Sequence, residues 1–158
     1  MPRNKGRAVD LARLRARQVT TVRVPPSFPP TSLDELVQAM SVAKNVDDVE
    51  FKAKVANQEW FGEFGRALEC NPKLETLQVI DCNLTGRAAG LMVGNLRSLT
   101  KLTRLDLSEN AAFGDEGAAA VANALEHLPA LEDVILYSCN IHDAGATTLA
   151  SAMPRVAP

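Results

Sequence analysis

Five short segments of this chain repeat one pattern. They are VTTVRV from residue 19, VDDVEF from 46, LETLQV from 74, LTRLDL from 102 and LEDVIL from 131. Each places apolar residues at relative positions 0, 3 and 5, and their starts lie 27, 28, 28 and 29 residues apart. Neither regular element explains the spacing, because a helix favours apolar steps of three and four and a half-buried strand favours steps of two. A fixed period of this length marks a chain built by stacking one strand–turn–helix unit, and this excludes most other folds.

The rest of each unit fits that reading. Position 8 holds Cys82, Asn110 and Cys139 in the last three units, and position 10 holds Leu84 and Ile141. The unit from 102 carries one inserted residue within AAFGDEG, which accounts for the step of 29. The second halves (LDELVQAM, FGEFGRALEC, GLMVGNLRSL and AAAVANALEHL) have helical spacing, and Gly86, Gly114 and Gly145 stand at or near the turn into the helix. One strand and one helix cannot bury an apolar face alone. Stacked units can, with parallel strands about 4.8 Å apart and a shared core. An amide at position 8, as at Asn110, can then bond to the backbone where the strand turns a corner, and a cysteine there is a small buried group that fills the same space.

The segments resemble the leucine-rich repeat, L-x-x-L-x-L-x-x-N/C-x-L, and their length and Cys/Asn alternation are similar to the ribonuclease-inhibitor type. The likeness covers residues 19–153. It is fullest from 74 onward, looser at 46, where position 8 is Lys54, and loosest at 19, where the strand runs into PPSFPP. The resemblance implies an α/β fold, a curved solenoid with parallel strands on the concave face and helices on the convex face. It also implies work as a scaffold or adaptor. Similar repeats occur in tropomodulin-like actin-binding domains, in activators of nuclear-transport GTPases and in innate sensors.

A stack needs closed ends. Pro25, Pro26, Pro29 and Pro30 cannot donate to a ladder, so the first strand is expected at an edge. A Ser32…Glu35 capping box is expected to start the next helix. Residues 1–18 form a basic arm or capping helix, in which Val9, Leu11 and Leu14 are available for packing, and the repeat domain spans 19–158. After a last short helix the sequence reads MPRVAP, with no polar capping unit.

Charge is unevenly distributed although the net is only −2. The arm carries Arg3, Lys5, Arg7, Arg13, Arg15 and Arg17 against Asp10. Such an arm suits a solvated cap, or contact with RNA phosphates or an acidic partner, and no interleaved aromatic residue supports base stacking. No run of about 18 apolar residues predicts a membrane span, and the start lacks the apolar segment of a secretory signal. An intracellular, cytoplasmic protein is expected, with a mitochondrial location as the alternative because the start is arginine-rich.

Catalytic patterns such as GxxxxGK[ST], GxGxxG, HExxH and GxSxG are missing, so a non-enzymatic protein without cofactor, metal or small-molecule substrate is expected. Cys82 and Cys139, two repeats apart, should lie about 10 Å from each other, too far for a disulfide. They read as buried thiols, His127 and His142 as surface residues, and Asn83-Leu84-Thr85 as a chance sequon. Phe61, Phe64 and Leu68 share a core face. Trp60 is then expected to face partly outward, either as a candidate anchor on the convex side or partly buried against the next helix. Asp47-Asp48 and Glu132-Asp133 lie beside the strands.

Outward strand positions form the candidate binding face. They are Arg23, Glu50, Gln78, Asp106 and Ile135 in one row, then Ile80, Ser108 and Tyr137, with Glu109 beside them. The face is mixed polar with an acidic bias and suits a protein partner. Two functions follow. One is a non-catalytic interaction module or scaffold. The other is an accessory structural subunit of a large complex, such as an organellar ribosome or respiratory assembly, held by the basic arm.

Overall fold

The 27-to-29-residue spacing becomes strand register. A computed structural model describes residues 9–153, and in it Thr21, Asp48, Thr76, Arg104 and Asp133 are successive partners across one parallel sheet. Its strands, β1 (Thr21–Val24), β2 (Asp48–Phe51), β3 (Thr76–Val79), β4 (Arg104–Asp106) and β5 (Asp133–Ile135), lie in chain order. Helices α1 (Leu11–Arg15), α2 (Leu33–Ala43), α3 (Trp60–Glu69), α4 (Gly86–Val93), α5 (Gly114–Leu125) and α6 (Asp143–Ala152) each pack against the next. The architecture is therefore α/β, one helical layer on one sheet. Arg3, Lys5, Arg7 and the tail from Pro154 lie outside the described residues.

The repeat positions explain the core. Positions 0, 3 and 5 supply Leu74, Leu77 and Val79, then Leu102, Leu105 and Leu107, all fully buried. Each such side chain contributes roughly 1.5–3 kcal/mol relative to an exposed one. The intervening strand residues point to the other face of the sheet, away from the helices, because strand side chains alternate. The sequence GLMVGNLRSL is helical only as far as Val93. Beyond it Leu96 and Leu99 are buried from tight turns, in which Leu96 N donates to Val93 O and Leu99 N to Leu96 O.

Position 8 does repeated backbone work. The Cys82 thiol donates to Phe51 O at 3.2 Å, Asn110 Nδ2 to Val79 O at 2.9 Å and the Cys139 thiol to Leu107 O at 3.2 Å. Each acceptor is position 5 of the preceding unit. The residue before each turns the corner with a left-handed backbone: φ is 54° at Asp81, 62° at Glu109 and 53° at Ser138. The inserted residue of the fourth unit is absorbed at Gly114, whose φ of 58° suits glycine.

The N-terminal edge is closed. β1 leads into a turn in which Phe28 N donates to Pro25 O, then a 3-10 turn over Pro30–Ser32. The expected Ser32…Glu35 box is not formed, since the Ser32 side chain makes no capping bond. The preceding 3-10 turn already engages the Ser32 and Leu33 amides, on Pro29 O and Pro30 O. Asp10 caps α1 by accepting from Arg13 N at 3.1 Å, and Leu14 is fully buried in the core. Arg17 belongs to this closure: its φ of 58° ends α1, and its Nε donates to Val42 O at 3.0 Å. At the other edge Val134 and Leu136 are only partly buried.

Candidate functional site

The face of the sheet turned away from the helices carries three rows. The first, absent from the sequence-level set apart from its acidic members, is Thr21, Asp48, Thr76, Arg104 and Asp133. The second is Arg23, Glu50, Gln78, Asp106 and Ile135, in register as expected. Two residues further on come Lys52, Ile80, Ser108 and Tyr137. Spacing alone could have found the first row, two positions before the second on every strand.

The expected acidic bias fails over the first two strands, because the chain neutralises its own carboxylates there. Arg23 Nη1 lies 2.5 Å from Glu50 Oε2 and its Nη2 lies 3.4 Å from Asp48 Oδ2, while Lys52 Nζ sits 2.6 Å from Glu50 Oε1. The Lys52 hydrogen bond, helped by Arg23 and against the cost of burial, holds the Glu50 carboxyl below its ordinary range. Burial pushes the Asp48 carboxyl up, more than the Arg23 charge lowers it. Lys54 pairs with Asp81 on the turn, and Arg104 Nη1 reaches Asp133 Oδ2 at 3.1 Å. Exposed pairs of this kind contribute little stability, so their effect is mainly on the charge a partner meets.

Asp106 departs from the expectation of an open side chain. It is 7% exposed, and its Oδ1 accepts from Ser108 N at 3.1 Å. Ser108, itself buried, accepts from Tyr137 N through Oγ at 3.2 Å. Tyr137 is 71% exposed and rises beside them.

Trp60 is not a surface anchor. It is 5% exposed, and its ring stacks on Phe64 at 4.9 Å and on Phe51 of β2 at 5.3 Å. Residues 60 and 64 are one helical turn apart, so a core position for Phe64 draws Trp60 inward too. Of the basic arm, Arg13 and Arg15 are exposed, while Arg17 is also exposed but is bound to α2 through the Val42 carbonyl.

The remaining candidates fall away from the sheet face. Cys82 and Cys139 are buried and unbridged, and burial pushes the Cys82 thiol up to about 12 and the Cys139 thiol upward. His142 is exposed at the start of α6, where its backbone N–H donates to Asp115 Oδ1 at 2.7 Å. His127 is half-buried after α5. Among the described residues no group of three or more His, Cys, Asp or Glu is placed to hold a metal ion. No helix among them is long and apolar enough to cross a membrane. Sequence reasoning also missed Asn71, fully buried, which accepts from Val46 N and donates to Met40 O and Ala67 O, tying α2 and α3 to the start of β2.

Comparison with known proteins agrees with this geometry. Residues 98–122 match the family model described as leucine rich repeat. A solved structure of leiomodin-1 actin-binding site 2 superposes with a TM-score of 0.71 at 17% identity, covering 92% of this chain and 86% of that one. The tropomodulin C-terminal domain of Caenorhabditis elegans gives a TM-score of 0.71 at 15% identity, covering 92% and 90%. At such identities the likeness is one of fold. Repeat period, sheet register and these matches together show that this chain has a fold of the leucine-rich repeat type.

Proposed function

We propose that this chain is a non-catalytic interaction module that binds a protein partner on the open face of its sheet. The observation that supports this is the face itself. Five strands present three rows of side chains that the core does not use, and they include a strongly exposed tyrosine among isoleucines and polar groups. Large aromatic residues on a mixed polar surface are favoured where proteins meet.

The test is recovery of the partner by tagged full-length chain and its variants. Gln78→Arg and Tyr137→Ala should reduce recovery, and Arg87→Glu on the helical side should not. Asp106→Arg is a poor probe, since a buried cation there would disturb the fold. Equal recovery by all variants would reject the sheet face. Actin is the first partner to try, because one protein of this fold is an actin-binding site by name. Co-sedimentation with filaments decides that case.

The second reading is an accessory subunit of a large assembly, such as an organellar ribosome or respiratory complex, anchored by residues 1–18. The exposed Arg13 and Arg15 beside an otherwise acidic body favour it. Deleting the arm would also remove Leu14 from the core, so charge reversal is the cleaner test. Arg13→Glu with Arg15→Glu should release the chain from a megadalton particle without unfolding it. Continued co-migration would reject the arm as anchor.

A further inference from the structure

Four carboxylates stand in the strand rows of the open face, and three have cations of their own. Arg23 serves Asp48 and Glu50, and Arg104 serves Asp133. Asp106 has none among the described residues, although it is 7% exposed. Its in-chain partner is the Ser108 amide. Arg104, two residues earlier on the same strand, reaches across to Asp133 instead. A carboxylate so far removed from water is costly without a cation, and a cation arriving from outside relieves that cost.

The surroundings specify the cation. Gln78 and Ile135 flank Asp106 at the same register. Tyr137 stands on the diagonal, two residues beyond Ile135, and is 71% exposed. Its backbone N–H donates to the Ser108 hydroxyl at 3.2 Å, so the ring is carried on the turn beside the one that follows Asp106. A guanidinium can pair with the carboxylate while lying against the tyrosine ring. Its remaining N–H groups would find the Ser108 hydroxyl and the Gln78 amide oxygen. An ammonium is compact, with three donors, and covers such a spread of acceptors poorly.

Resting on the sheet-face reading above, we propose that β4 and β5 form a subsite for an arginine side chain of the protein partner, with Asp106 as its carboxylate and Tyr137 as its aromatic wall. The subsite lies where the face is not neutralised from within, so it sets both position and specificity. The first two strands, whose charges are already paired, add contact area.

The test is an amide-shift titration of the full chain, labelled with nitrogen-15, by the blocked tripeptide acetyl-Gly-Arg-Gly-amide and its lysine counterpart. The arginine peptide should shift the Ser108, Ile135 and Tyr137 amides and bind more tightly than the lysine peptide. Asp106→Asn keeps the acceptor for Ser108 N and should weaken binding about tenfold or more. Tyr137→Ala, at an exposed site, should weaken it several-fold, while Tyr137→Phe keeps the ring and should not. No localised shift, or equal binding of both peptides unaffected by Asp106→Asn and Tyr137→Ala, overturns the subsite. A protein partner lost by Gln78→Arg but indifferent to Asp106→Asn and Tyr137→Ala overturns the subsite alone. Indifference to all three removes the sheet-face reading with it.

Discussion

The Asn110 side chain binds the backbone of Cys82, 28 residues earlier in the chain. Its Oδ1 accepts from Cys82 N at 2.9 Å and from Leu84 N at 3.0 Å. Its Nδ2 donates to Val79 O, Leu107 O and Ser108 O between 2.8 and 3.2 Å. One buried amide thus serves five backbone groups in two units. Asn110→Ala strands them and should cost about 3–5 kcal/mol. Asn110→Cys should cost less, about 1–3 kcal/mol, since a thiol can still donate but offers Cys82 N and Leu84 N only a weak acceptor. Urea unfolding followed by the fluorescence of Trp60, the one tryptophan in the sequence, measures both. Equal losses would mean that the donor half contributes nothing.

Trp60 carries an unusual burden, because its Nε1 is buried without a partner among the described residues. Trp60→Phe removes that orphaned donor while keeping a ring against Phe51 and Phe64. Relief of the donor should offset much of the lost volume, leaving stability within about 1 kcal/mol of the original. Trp60→Ala should cost roughly 3–5 kcal/mol. Circular dichroism is the readout, and similar losses in both variants would show that the orphaned N–H carries no penalty.

Thiol chemistry should divide the three cysteines. Cys70 is partly exposed and should react with a thiol reagent at neutral pH, whereas Cys82 and Cys139 should react only on unfolding. The raised Cys82 value has a linkage consequence. An ordinary thiol near 9.0 ionises on unfolding while the buried one stays protonated to about 12. Its contribution to stability is therefore full below about pH 9 and is lost between pH 9 and 12. Cys82→Ala should flatten the alkaline limb of a plot of Tm against pH, although it lowers Tm overall.

The acid limb should depend on Glu50. Its folded pKa is below the ordinary 4.5, so its stabilising contribution is present above that pH and is lost as pH falls through the lowered value. Asp48 acts in the opposite sense. Its folded pKa is raised above 3.8, so its contribution is present below that pH and is lost as pH rises through the raised value. At neutral pH, Glu50→Gln should lower Tm and flatten the acid limb, and Asp48→Asn should lower Tm less or raise it. Thermal melts from pH 3 to 7 distinguish the two, and the reverse order would refute the assignment.

Glu109 holds a left-handed backbone, which costs most side chains free energy and asparagine less. Asn83 and Asn140 adopt that conformation in neighbouring turns. Glu109→Asn should therefore stabilise the chain by about 0.5 kcal/mol, provided its N–H keeps its bond to Tyr137 O. Destabilisation would show that the glutamate side chain contributes more than the backbone loses.

Strand order, register and the inward residues were legible because they follow from period. Leu105 and Leu107 had to be buried once Leu77 and Val79 were, since a residue one repeat away meets the same surroundings. The backbone role of the Asn110 amide was legible for the same reason, whereas the Cys82 and Cys139 thiols read as space-filling groups and their bonds to Phe51 O and Leu107 O were not. Trp60 was misjudged because Phe61, Phe64 and Leu68 satisfy a helical core stripe without it, and nothing in the local pattern shows that Phe51 supplies a ring for it to stack on. Asn71 was invisible because the matching positions of later units hold Leu99 and Leu128, so the repeat argues for an apolar residue there.

By itself the sequence determined the architecture: a repeated apolar spacing admits one way of stacking, and burial of those side chains enforces it at every step. Tertiary structure alone decided the character of the open face. Which carboxylates are neutralised, that Arg104 reaches Asp133 rather than Asp106, and that Asp106 is buried without a cation among the described residues all depend on contacts between residues about 27 to 29 positions apart. Those contacts are set by distances of a few ångströms across strands, and a pattern of apolar residues carries no information about where long charged side chains will reach.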